Sequence, residues 1–217
     1  MAMEIVCFDL EGVLVPEIWI NVAQRTGIAE LRLTTRDVAD YDALMNHRLQ
    51  VLDEHGLTLG DIQDVIATLA PLPGAAEFFA WTRRHYQVVV LSDTFYDFAR
   101  PLMAQLGDPV LFCHDLIVDA GRRITGYRLR LPNQKYEAVK ALQGLAFRVF
   151  AVGDSYNDTA MLLGADAGFL FDPPDTVAAE FPQLPVTRTY EELRARLLAA
   201  SSRHGMGKGD GSSGLSP

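Results

Sequence analysis

Three short apolar runs in this chain each stop at a carboxylate, and that recurrence restricts its fold more than any other feature. Residues 4–8 (EIVCF) end at Asp9, residues 87–91 (QVVVL) at Ser92 and Asp93, and residues 147–152 (FRVFAV) at Gly153 and Asp154. A brief, partly β-branched apolar run closed by polar residues is the pattern of a buried strand. A weaker fourth run covers residues 167–171. Segments with helical spacing lie between and after these runs, at residues 74–85, 95–106, 134–142, 157–163 and 190–200. Strands alternating with helices predict a parallel sheet with right-handed crossovers. Such a sheet binds ligands beyond the carboxyl ends of its strands, where Asp9, Ser92, Asp93 and Asp154 all fall.

One stretch breaks the alternation. Residues 16–70 contain no convincing strand and read as helices over 17–26, 41–55 and 59–69. Gly56 is placed to stop the second, and Thr58 with Asp61 resembles a capping box for the third. The stretch is expected to be a helical cap inserted after the first strand. Residues 114–130 hold alternating apolar positions around a Gly-containing turn (LIVDAGRRITGYRL), the pattern of a small β-hairpin. The expected plan is α/β: a Rossmann-like core from residues 1–15 and 71–202, the cap from 16–70, and a Gly/Ser-rich tail over 203–217 too polar to pack.

Composition narrows the function. Hydrophobic residues make up 49%, enough for a substantial core, and the formal net charge is -9. A protein that grips nucleic acid needs a basic face, so no nucleic-acid partner is expected. No segment reaches the ~20 apolar residues of a membrane span, and Asp9 and Glu11 interrupt the first apolar run, which argues against a signal peptide. A cytoplasmic location is the expectation. Cys7 and Cys113 are isolated in apolar contexts and read as buried free thiols, not as a disulfide framework or zinc site.

Four motifs carry the chemistry. In Asp9-Leu10-Glu11-Gly12, carboxylates two residues apart can face one site, one attacking phosphorus while the other moves protons. Either acid could instead be an ordinary turn or cap residue. In Ser92-Asp93-Thr94, a hydroxyl and backbone N–H groups at a helix start can hold phosphate oxygens, or merely cap the helix. Lys135, in PNQKYEAVK, would offset phosphate charge, with Lys140 as a competitor and a solvated surface lysine as the plainer alternative. Gly153-Asp154-Ser155-Tyr156-Asn157-Asp158 gathers hard oxygens suited to Mg²⁺, though a capped turn would look similar. No G-x-G-x-x-G follows the first strand, which argues against a dinucleotide enzyme.

The four motifs in this order resemble those of the haloacid dehalogenase superfamily, over about residues 3–200. FDLEGVLVPE, VVVLSDTF and AVGDSYNDTAML are similar to its phosphoserine phosphatase branch. DLEGVLVPEIWI, LDEHGL and LSDTFY look like the subgroup that also transfers phosphoryl to homoserine. The resemblance implies Asp9 as nucleophile through an aspartyl-phosphate and Glu11 as acid/base. It implies Mg²⁺ held by Asp9, Asp154 and the Glu11 carbonyl, supported by Asp158. It implies that Ser92, Lys135 and Asn157 hold the phosphate, and Asp93 is taken with them as a substrate-binding residue. In the cap, Glu17 matches the acid for a substrate ammonium group and Arg48 the arginine for its carboxylate; Arg36 and His47 compete for those roles. Met45 and Leu49 read as packing. The implied partners are phosphoserine and homoserine, with a homodimer possible in the subgroup. A phosphatase for another small phosphate and a non-catalytic phosphate-binding module are the alternatives. One departure stands out: most phosphatases of the superfamily carry Asp where this chain has Glu11, which puts ordinary hydrolytic efficiency in doubt.

Overall fold

The computed structural model describes residues 3–34, 38 and 40–202. Seven strands form one sheet in the order β4-β3-β2-β1-β5-β6-β7. They are β1 (Met3–Phe8), β2 (Gln87–Phe95), β3 (Val110–Val118), β4 (Ile124–Arg128), β5 (Phe147–Gly153), β6 (Ala167–Phe171) and β7 (Val186–Thr187). All neighbours pair in parallel except β3 and β4, which form the antiparallel hairpin. The helices are α1 (Ile18–Thr26), α2 (Tyr41–Glu54), α3 (Leu59–Ile66), α4 (Ala75–His85), α5 (Tyr96–Gln105), α6 (Gln134–Gly144), α7 (Thr159–Gly164), α8 (Asp175–Glu180) and α9 (Tyr190–Ala200).

Side chains of a strand alternate between faces, and the core divides accordingly. Val6, Phe8, Val90, Phe150 and Val152 share one apolar cluster with α4, α5, α9 and the first three helices. Ile5, Cys7, Val89, Leu91 and Ala151 share another with α6, α7 and Val177 of α8. The helices of residues 16–70 therefore pack into the same apolar mass as one face of the sheet: Ile18, Leu52 and Ile62 belong to the cluster of Phe8 and Phe98. Thr58 and Asp61 make the expected capping box. Met45 is buried and Leu49 packs against the same cluster. Cys7 and Cys113 are buried and unpaired, and burial pushes both thiols up to about 12. No helix among the described residues is long and apolar enough to cross a membrane.

Several elements differ from expectation. β3 starts at Val110 and joins the parallel sheet before it turns into the hairpin, so the hairpin is the far half of a longer strand. β7 and α8 were not anticipated. The expected helix over 95–106 begins at Tyr96, because pairing of Phe95 with His114 keeps the chain extended that far. Ser92, Asp93 and Thr94 therefore sit within β2, beside a register shift between Leu91 and Phe95, and not at a helix start. The segment 157–163 splits into a 3-10 turn at Tyr156–Asp158 followed by α7. The expected tail over 203–217, and Arg36, lie outside the described residues.

Candidate active site

The register of the three central strands brings the acids together. Phe8 pairs with Val90 on one side and Val152 on the other, so Asp9, Ser92 and Asp154 emerge at one edge of the sheet. Gly12 turns the chain back with a φ of 77°, a conformation that favours glycine. A Cβ there would also lie 2.5 Å from the Asp154 carboxylate, so the turn and the acid fit only without a side chain. A cavity of about 80 Å³ results. It is lined by Asp9, Glu11, Glu17, Arg48, Ser92, Asp93, Lys135, Asp154 and Asn157, which are all the residues singled out in the motifs except Asp158.

Lys135 organises one end. It is buried, and its Nζ lies 2.8 Å from Asp9 Oδ1, 2.8 Å from Asp158 Oδ1 and 3.5 Å from Asp93 Oδ2. Burial works against its charge, but the three carboxylates outweigh it and hold the ammonium well above its ordinary range. Lys140 is exposed and donates to Gln143, which leaves Lys135 as the lysine of the site. Asp158 is fully buried, and its Oδ2 also accepts the backbone N–H groups of Asp154 and Ser155 at 3.0 and 3.2 Å. Asp158 thus supports the turn from behind.

Asp9 accepts the Leu10 N–H at 2.7 Å as well as the lysine. Burial and the charges of Asp158 and Asp154 push its carboxyl well above the usual range, with Lys135 pulling the other way. One carboxylate oxygen each from Asp9, Asp154 and Asp158 lies within 4.8 Å of the others. Three buried acids compensated by a single lysine form a hard-oxygen set that fits a small divalent cation.

Glu11, the start of α1 and α2 form the other end. Glu11 Oε2 accepts the Ile18 N–H at 2.8 Å, so the side chain satisfies one orphan donor at the start of α1. Burial first, then the Glu17 charge, pushes the Glu11 carboxyl up to about 8, against the pull of the Ile18 bond, Arg48 and the Thr94 hydroxyl. Arg48 is buried on α2. It donates to the Leu33 carbonyl at 2.8 Å, lies 4.5 Å over the Trp19 ring, and keeps Nε buried without a hydrogen-bond partner. Burial lowers it to about 10, while Glu11, Tyr41 and Glu17 favour its charge. His47, the other candidate on this helix, does not line the cavity.

Sequence reasoning missed Trp19, Thr34, Tyr41, Thr94 and Ser155, which also line the cavity. Thr34 and Tyr41 carry no local signal. Trp19, Thr94 and Ser155 lie inside quoted motifs.

The comparisons agree with this architecture. A family model described as haloacid dehalogenase-like hydrolase matches residues 8–163. The chain belongs to the haloacid dehalogenase-like hydrolase family. A phosphoserine phosphatase ThrH from Pseudomonas aeruginosa is 60% identical over 201 residues, covering 93% of this chain and 98% of that protein. A phosphoserine phosphatase from Pseudomonas syringae pv. tomato is 58% identical over 202 residues, covering 93% and 85%. Among solved structures, an apo phosphoserine phosphatase superposes with a TM-score of 0.73 at 20% identity, covering 89% of this chain and 98% of the other. At that identity the likeness concerns the fold.

Proposed function

We propose that this chain is a Mg²⁺-dependent phosphoserine phosphatase that works through an aspartyl-phosphate on Asp9 and also passes the phosphoryl group to homoserine. The observation that carries the reading is the pairing of two unlike ends in one small cavity. Asp9 and Lys135 lie at one, Glu17 and a buried, under-satisfied Arg48 at the other. A free phosphoamino acid has the matching groups: a phosphate, an ammonium and a carboxylate. A sugar phosphate would leave Arg48 and Glu17 without partners. The names of the relatives that are 60% and 58% identical support the same substrate.

The phosphate of the substrate is held against Lys135, Ser92 and Asn157. Its ammonium lies on Glu17, and its carboxylate takes the Arg48 guanidinium in a charge-assisted bond. An Asp9 oxygen attacks phosphorus while Glu11, protonated, gives its proton to the departing serine oxygen. Glu11 then takes a proton from the next attacker, water or the homoserine hydroxyl, as the phosphoryl group leaves Asp9. Asp9 and Asp154, with the Glu11 carbonyl, would hold Mg²⁺, while Asp158 stays committed to Lys135 and the turn. When bound, the cation offsets the charge of the two carboxylates and of the transferring phosphoryl group.

Incubation with phosphoserine and Mg²⁺, with and without homoserine, tests the reading. Release of serine and phosphate alone, with phosphohomoserine added when homoserine is present, is the expected result. Turnover of other small monoesters with none of phosphoserine would overturn it.

A further inference from the structure

Groups from four elements, β3, α6, α2 and the 3-10 turn, converge on the Ser92-Asp93 segment. Asn157 Nδ2 donates to Asp93 Oδ2 at 3.0 Å, and Lys135 Nζ lies 3.5 Å from the same oxygen. Gln134 Nε2 donates to the Ser92 carbonyl and reaches Asp93 Oδ1 at 3.2 Å. The backbone N–H of Arg130 donates to His114 Nδ1 at 3.1 Å, which puts the neutral ring's proton on Nε2, facing Asp93 Oδ1 at 3.6 Å. Arg130 Nε donates to Gln134 Oε1 at 3.1 Å and so orients the amide. From the cap, the Tyr41 hydroxyl donates to the Asp93 carbonyl at 2.9 Å. Gln134 and His114 are 2% and 3% exposed, so the bond from Gln134 to the Ser92 carbonyl forms away from water, where it holds geometry best, while the bond from Asn157 lies at the exposed side of Asp93.

We infer that Asp93, oriented by Gln134 and His114, is a positioning residue that sets the three phosphate-side groups Ser92, Lys135 and Asn157. Its carboxylate would repel a phosphate dianion, and its oxygens already accept from the side chains that the phosphate needs. Burial favours the neutral acid, but Lys135, His114, Asn157 and Gln134 outweigh it and keep Asp93 ionised well below the usual carboxylate range. Each of the three groups is fixed through Asp93 by a different route: Ser92 through the shared peptide, Lys135 by charge, Asn157 by its amide. Gln134 precedes Lys135 at the start of α6, so the same helix turn delivers both the lysine and the group that aligns it with β2. On its other side this network faces a larger cavity of about 640 Å³, lined by Tyr41, His114, Gln134 and Asn157 among others. Tyr41, Asp93, Lys135 and Asn157 line both cavities.

The inference rests on the proposed reading only in assigning phosphate to Ser92, Lys135 and Asn157. Its test uses inorganic phosphate as a competitive inhibitor, with serine as a probe of the amino-acid end. Gln134→Met removes both donors at nearly constant shape. It is expected to raise the phosphate inhibition constant about tenfold, the loss of one or two buried hydrogen bonds, and to leave that of serine within about twofold. Asp93→Ala should weaken phosphate further, and Asp93→Asn, which keeps one acceptor oxygen, should recover part of the loss. Thermal melting establishes that each variant is folded, and Asp93→Asn serves if Gln134→Met is not. Unchanged phosphate binding in a folded variant, or equal losses for phosphate and serine, would overturn the positioning role. Failure of serine to bind the wild type would instead count against the phosphoamino-acid reading.

Discussion

Shortening Glu11 by one methylene is the most informative single change in this molecule. In the structure the Glu11 carboxylate reaches the Ile18 N–H at 2.8 Å and so joins the turn after Asp9 to α1. Glu11→Asp withdraws the carboxylate by about 1.5 Å. The oxygen-to-nitrogen distance becomes about 4 Å, outside hydrogen-bond range. Loss of this cap should cost about 1 kcal/mol, read as a drop of about 2–4 °C in Tm for a chain of this size. The effect on chemistry is larger and differs between acceptors. Water is small and can follow the retreating base. A homoserine hydroxyl, gripped by Glu17 and Arg48 through its own charged groups, cannot, so transfer loses more than hydrolysis. The ratio of phosphohomoserine to inorganic phosphate, at fixed phosphoserine and homoserine, is expected to fall about tenfold, or ~1.4 kcal/mol of relative barrier. In the proposed mechanism the protonated acid is the form that serves the leaving serine oxygen. Because burial and Glu17 raise the Glu11 carboxyl of the free chain to about 8, wild-type kcat/KM should decline as pH rises through that value. A ratio unchanged or raised in Glu11→Asp would show that acceptor choice is set elsewhere.

Two further predictions follow from the two ends of the cavity. Arg48→Ala should lower kcat/KM for phosphoserine by roughly 2–5 kcal/mol while affecting an aryl phosphate much less, since only the amino acid leaves a carboxylate unpaired; equal losses on both substrates would make Arg48 structural. EDTA should silence the enzyme and Mg²⁺ restore it, with Ca²⁺ inhibiting through its longer bonds and higher coordination number; full activity in chelator would remove the cation from the account.

Much of the fold was legible because its signals are local. The runs EIVCF, QVVVL and FRVFAV are strands, and the acid that follows each run reaches the cavity, since a parallel register aligns the three runs without further information. Thr58 with Asp61 marks a helix start with residues whose preference is intrinsic. The errors lie where tertiary pairing overrides such preferences. Phe95 looks like a helix residue but pairs with His114 in the sheet. Val186 and Thr187 form a strand only because β6 lies beside them. The cavity follows the same division. Asp9, Lys135 and Asp154 belong to recognisable spacings, whereas the partners of Asp93 come from β3, α6, the 3-10 turn and α2, an arrangement no local pattern encodes. Glu4 is a further case: in sequence it is only the first residue of an apolar run, yet it is fully buried and accepts from Ser201 and Ser202 near the end of the described chain.

The central claim is that Asp9 becomes covalently phosphorylated by phosphoserine. Rapid mixing of enzyme, Mg²⁺ and phosphoserine, followed by an acid quench and peptide mass analysis, tests it directly. One phosphoryl group should appear on the peptide containing Asp9 within a single turnover, and should disappear on a chase with homoserine as phosphohomoserine forms. Asp9→Asn should show no label and should lose more than ~10³-fold in turnover while remaining folded. Near-normal turnover in Asp9→Asn, or phosphoserine consumed with no phosphoryl group ever found on Asp9, would contradict the account.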